Sequence, residues 1–119
     1  MQAPATLNLT MYQGASWDYQ LTWTTTAGSV TAPVDLSNYS ARMQVRDSYD
    51  SGDVLLSLTS GTGITLGGTA GTIYLEASAT TTAGVADGKF VYDLELVSQA
   101  GYVTRLVEGQ LQVKPEVTR

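Results

Sequence analysis

Apolar and polar residues alternate along most of this chain, and the alternation has the two-residue period of a β-strand with one buried face. Leu7, Leu9 and Met11 alternate with Asn8, Thr10 and Tyr12. Trp17, Tyr19, Leu21 and Trp23 alternate with Asp18, Gln20, Thr22 and Thr24, giving a second strand with a heavy aromatic face. Ala41, Met43 and Val45 alternate with Arg42, Gln44 and Arg46, so this strand carries two arginines on its outer face. Val54, Leu56 and Leu58 form the next strand, and short strands follow around Ile64–Leu66 and Thr72–Ala77. Phe90, Tyr92, Leu94 and Leu96 alternate with Val91, Asp93 and Glu95, the clearest strand of all. Tyr102–Lys114 returns beside it, but the parity slips between Leu106 and the pair Leu111 and Val113, so a bulge is expected near Glu108-Gly109.

The breaks between these runs carry turn chemistry. Gln13-Gly14-Ala15-Ser16, Thr26-Ala27-Gly28-Ser29 and Ser98-Gln99-Ala100-Gly101 read as turns, and Gly61, Gly63, Gly67, Gly68 and Gly71 supply the positive φ that a tight meander needs. Pro33 and Pro115 end pairing. Val34–Tyr39 is expected to make a compact connection with one helical turn, and Ser78–Asp87, rich in Ala and Thr, one or two turns of helix. About eight or nine antiparallel strands at regular spacing argue an all-β sandwich with at most one short helix, spanning 1–119 as a single domain. The expected core holds Leu7, Leu9, Leu21, Met43, Val45, Leu56, Leu58, Ile73, Leu75, Phe90, Tyr92, Leu94 and Leu96.

Composition narrows the chemistry. The 119 residues include no histidine and no cysteine, which removes the commonest general base, metal ligand and soft nucleophile. Only 14% of residues are charged, against about 25% in a typical globular chain. The net charge of −5 concentrates no positive field, so nucleic acid is not an expected partner. No apolar run approaches the ~20 residues of a membrane-spanning helix. The N-terminal Met1-Gln2-Ala3-Pro4 lacks the basic and apolar regions of a signal peptide, so the expected compartment is the cytoplasm or a particle assembled there.

Three constellations bear on function. Asp47, Asp50 and Asp53 share a loop with Gly52 and could offer oxygen ligands to calcium, but the spacing is not that of a helix-loop-helix site, and a solvated turn accounts for them. Asp93 and Glu95 lie on one strand face in the region of Arg105, a spacing open to acid–base work on sugars, yet no cleft accompanies them and cross-strand charge balance suffices. Trp17, Trp23, Tyr12, Tyr19, Tyr39, Tyr49, Tyr74, Tyr92 and Tyr102 are enough rings for a sugar-stacking platform, although Trp17, Tyr19 and Trp23 share their face with Leu21, which favours core or interface. There is no Ser-His-Asp, phosphate-loop or metal-ligand motif, so catalytic, cofactor-binding and metal residues are expected to be none.

The stretches Gly88–Val97, Gly101–Gly109 and Pro115–Arg119, together with Gln13–Ser16 and Val34–Arg46, resemble small virion proteins of tailed bacteriophages, including cyanophages. They are also similar to the N-terminal domain of the phage baseplate upper protein family. The resemblance implies an immunoglobulin-like sandwich that docks, in several copies, onto other virion proteins of the tail, neck or baseplate, without enzymatic activity or cofactor. A capsid decoration (cement) protein bound to the major capsid protein is the nearest alternative, and a carbohydrate-binding module aiding adsorption the next. The virion is then the expected location. Arg42, Arg46 and Arg105 are the expected docking groups, since a guanidinium fork pairs with carboxylates, and the C-terminal run with Glu116 and Arg119 is expected near the contact.

Overall fold

The computed structural model describes residues 4–118. In chain order the strands are β1 (Ala5–Thr6), β2 (Leu9–Tyr12), β3 (Trp17–Thr22), β4 (Thr24–Ala27), β5 (Val30–Pro33), β6 (Ser40–Arg46), β7 (Val54–Ser60), β8 (Gly63–Leu66), β9 (Thr72–Ala77), β10 (Gly88–Val97) and β11 (Val103–Lys114), with a 3-10 turn at Gly68–Ala70 and the helix α1 at Ala79–Ala83. Nine strands form one curled sheet in the order β1-β11-β10-β6-β7-β8-β9-β3, with β2 also on β11, while β4 and β5 pair separately. The curl occurs at β7 and β8, whose parallel pairing is limited to Thr59↔Gly63 and Ser60↔Ile64. Folding the path there stacks β8-β9-β3 over β2-β11-β10-β6-β7 and closes an immunoglobulin-like β-sandwich.

The expected fold class is thus the observed one, with more strands and a mixed pairing pattern. The N-terminal run and the last strand are parallel: Ala5 and Thr6 pair with Val107 and Glu108, and Leu9–Tyr12 pair with Leu111–Lys114. The run divides in two where Leu7 and Asn8 cross Gly109. Leu7 N–H donates to the Glu108 carbonyl (2.9 Å), and Asn8 Oδ1 accepts from Gln110 N–H (3.1 Å). A Cβ at position 109 would overlap the Leu7 carbonyl, so glycine is needed for the close approach. The bulge lies three residues before that glycine. Leu94 pairs with Val107 and Glu95 with Arg105, leaving Leu106 as the extra residue, and Leu106 and Val107 are both buried. That double burial is the parity slip seen in the sequence. A second bulge falls at Leu55, between the pairs Val45↔Leu56 and Arg46↔Val54.

The connection over Val34–Tyr39 forms no helical turn. Asp35 Oδ1 accepts from Ser37 N–H (2.9 Å) and from Ser37 Oγ (2.5 Å), a local bond that competes with helix, and Tyr39 N–H closes a single turn on the Leu36 carbonyl (3.0 Å). Within Ser78–Asp87 the helix does form. Ser78 caps it by accepting from Thr81 N–H (3.2 Å).

Eleven of the thirteen expected core residues are buried, and Leu7 and Leu21 pack against the core half-exposed. The core also takes Met11, Trp17, Trp23, Leu36, Ile64, Val85, Leu111 and Val113. Two polar ties hold the N-terminal run in place. The buried Tyr92 hydroxyl donates to the Leu7 carbonyl (2.5 Å), and burial raises its phenol pKa well above the usual value, keeping it a donor. Thr82, fully buried, accepts from Gly14 N–H (3.0 Å) and lies 2.9 Å from the Ala15 carbonyl, fastening α1 to the β2–β3 turn.

Candidate functional site

The outer face of β6, β10 and β11 gathers three arginines and three carboxylates. Alternation on β6 buries Ala41, Met43 and Val45 and turns Arg42, Gln44 and Arg46 outward. The same parity on β10 places Asp93 and Glu95 beside them, and Arg105 and Glu108 follow on β11. Glu95 lies in register between Arg42 and Arg105, and Asp93 between Gln44 and Glu108. Arg42 Nε meets Glu95 Oε1 at 2.8 Å. Arg105 reaches Asp93 through Nε at 3.4 Å and Glu108 through Nη1 at 3.5 Å. A depression of about 350 Å³ runs over this strip between Gln44, Arg46, Tyr49, Asp93, Glu95 and Arg105.

The electrostatics follow from packing. Asp93 is pressed against the strand face, and desolvation raises its pKa, with Glu95 and Glu108 adding to the rise while Arg105 and Arg42 oppose it. The three arginines and three carboxylates cancel in net charge. Half-exposed pairs of this kind contribute at most about 1 kcal/mol each to folding, so the strip does little for stability. What it offers is a patterned surface of mixed sign, the kind that selects a partner and its orientation.

Of the five expected interface residues, the structure brings together three. Arg42 and Arg105 sit in the strip. Arg46 flanks it and is engaged with its own chain: Nη1 donates to the Ser51 carbonyl (2.7 Å) and Nη2 to Gln44 Oε1 (2.9 Å), which fixes the loop after β6. Glu116 lies beyond the other end of β11, eleven residues from Arg105 at about 3.3 Å per residue. Its N–H points to Gln13 Oε1 (3.4 Å) and its side chain lies over Gly14. Gln13 also donates to the Val85 carbonyl (2.8 Å) and, from its backbone, to Lys114 (2.9 Å), so the start of the C-terminal segment is pinned. Arg119 lies outside the described residues.

The other constellations resolve as follows. Asp47, Asp50 and Asp53 are exposed, and among the described residues no three acidic groups come together as metal ligands. Trp17, Tyr19, Leu21 and Trp23 face inward, Trp17 Nε1 bonding the Thr10 carbonyl (3.0 Å) and Trp23 meeting Tyr39 edge-on at 5.7 Å. Tyr12, Tyr49 and Tyr102 are exposed on separate elements, so the rings form no single platform. Sequence reasoning missed Gln44 and Glu108, whose place in the strip comes from register across strands.

No protein family matches the chain, and no curated protein does. Among solved structures it is similar to the fibronectin(III)-like modules of Clostridium thermocellum CbhA (15% identity over 95% of this chain and 92% of that one, TM-score 0.42). It is also similar to CopC from Methylosinus trichosporium OB3b (12% identity over 93% of this chain and 89% of that one, TM-score 0.44). The assignment of the sandwich rests on the strands and their pairing.

Proposed function

We propose that this protein is a non-enzymatic virion module of a tailed bacteriophage, an adaptor of the tail, neck or baseplate that docks in several copies through the outer face of β6, β10 and β11. The observation that carries the reading is the strip of Arg42, Glu95, Asp93, Arg105 and Glu108, charges of both signs set in register on an open sheet face. The resemblance of Gly88–Val97, Gly101–Gly109 and Val34–Arg46 to small virion proteins supports it, because those stretches contain β6, β10 and the β11 arginine. A neutral patterned face suits docking against a protein surface of opposite pattern. It suits a nucleic acid backbone poorly, since that requires net positive charge.

Density for this chain in intact particles is the test. Several copies to a dozen or so in a ring at the tail, with β6, β10 and β11 against a neighbour, support the adaptor. Hundreds of copies on the shell would make it a capsid decoration protein, and absence from the particle would end the virion reading.

A further inference from the structure

At the β10–β11 hairpin end of the sandwich lies a depression of about 840 Å³, lined by Trp23, Tyr39, Tyr102, Glu95 and Arg105 among others. We propose that it binds a neutral pyranose sugar. Trp23 is 8% exposed, and its indole Nε1–H is the one buried side-chain polar atom among the described residues without a hydrogen-bond partner. A buried donor left unpaired is costly and asks for an acceptor. Tyr39 stands edge-on to the Trp23 ring with 80° between the planes. Tyr102 is 68% exposed, on a loop held by Gly101 N–H to the Ser98 carbonyl (2.9 Å) and by its own N–H to Ser98 Oγ (3.0 Å). An exposed aromatic on a fixed loop is a stacking surface presented without further ordering cost.

The polar groups select the ligand. Glu95 contacts Arg42 through Oε1 alone, leaving Oε2 as an acceptor for a hydroxyl. Arg105 contacts Asp93 and Glu108 through Nε and Nη1, leaving Nη2 as a donor. One carboxylate and one guanidinium at the same lip cancel, so the site favours neither anion nor cation. An apolar ring face bearing hydroxyls that both donate and accept is the ligand class that matches aromatic walls, an orphan N–H and this charge pair together. The site shares Glu95 and Arg105 with the docking strip, and Tyr102 and Trp23, which the strip does not use, keep its test separate from the docking reading.

The chain has two indoles, and the second provides an internal control: Trp17 Nε1 is bonded to the Thr10 carbonyl. In ¹⁵N–¹H spectra of the full chain, the methyl glycosides of glucose, galactose and N-acetylglucosamine are titrated to saturation in the millimolar range. We expect at least one to shift the Trp23 indole signal saturably while the Trp17 signal stays in place. Tyr102→Ala, an exposed change that spares the core, should weaken binding by about tenfold, or ~1.4 kcal/mol. Trp23→Phe, which keeps a ring and removes the donor, should also weaken it. No saturable Trp23 shift with any of the three, equal shifts of both indoles, or unchanged affinity in Tyr102→Ala would overturn the proposal. If Trp23→Phe does not fold, Tyr102→Ala decides.

Discussion

Asp93 and Glu108 stand directly opposite each other on β10 and β11, two carboxylates in register, and one arginine three residues before Glu108 is shared between them. Like charges at such a position repel. Arg105 offsets the repulsion incompletely, because Asp93 also meets Glu95 and is partly desolvated, and its pKa remains raised. The arrangement shifts Asp93 toward its neutral form relative to the unfolded chain.

The pH dependence follows from that direction. A carboxyl with a raised folded pKa contributes stability that is full below its unfolded value and is lost as pH rises through the folded value. Asp93→Asn should therefore be at least as stable as the parent at neutral pH. Its advantage should shrink on acidification through the carboxylate range. Denaturant unfolding of both proteins at several pH values checks this, and a variant less stable at neutral pH would show that the Arg105 pair dominates instead.

Leu94 is fully buried on the central strand of its layer. Leu94→Ala should cost about 2–5 kcal/mol, read as a fall in denaturant midpoint with unchanged slope. Leu21→Ala, at a half-exposed position, should cost clearly less.

Thr82 holds the end of the sandwich through one hydroxyl. Thr82→Val keeps the shape but leaves Gly14 N–H without its acceptor, which should cost about 1–3 kcal/mol. Amide exchange at Gly14 should accelerate beyond the global effect, and unchanged exchange there would contradict the role given to the hydroxyl.

Gly109→Ala sets a methyl group against the Leu7 carbonyl. We expect β1 to detach from β11, seen as lost protection of Leu7 N–H, whose acceptor is Glu108. Retained protection would mean the crossing has room to spare.

The strands were legible where parity is unbroken. β6 and β10 read directly because each alternates cleanly between core and surface, and Asp93, Glu95 and Arg42 could be placed on one face from parity alone. What parity cannot show is which strand lies beside which. The pairing of Glu108 with Asp93, the crossing of Leu7 over Gly109 and the grip of Arg46 on Ser51 all depend on long-range register or on a loop path. Parity places the bulge near Glu108-Gly109 rather than at Leu106, since the packing of Gly109 against Leu7 exists only once the N-terminal strand is in place. Trp23 illustrates the same limit: its buried face was legible, its unpaired N–H was not.

The central claim is that the Arg42–Glu95–Asp93–Arg105–Glu108 strip is the docking surface. Its most direct test is the copy number of the double variant Arg42→Glu with Arg105→Glu in purified particles, with folding verified by circular dichroism and thermal unfolding. A folded variant absent from the particles, or strongly depleted, is the predicted result. A folded variant present at the parental copy number would contradict the account.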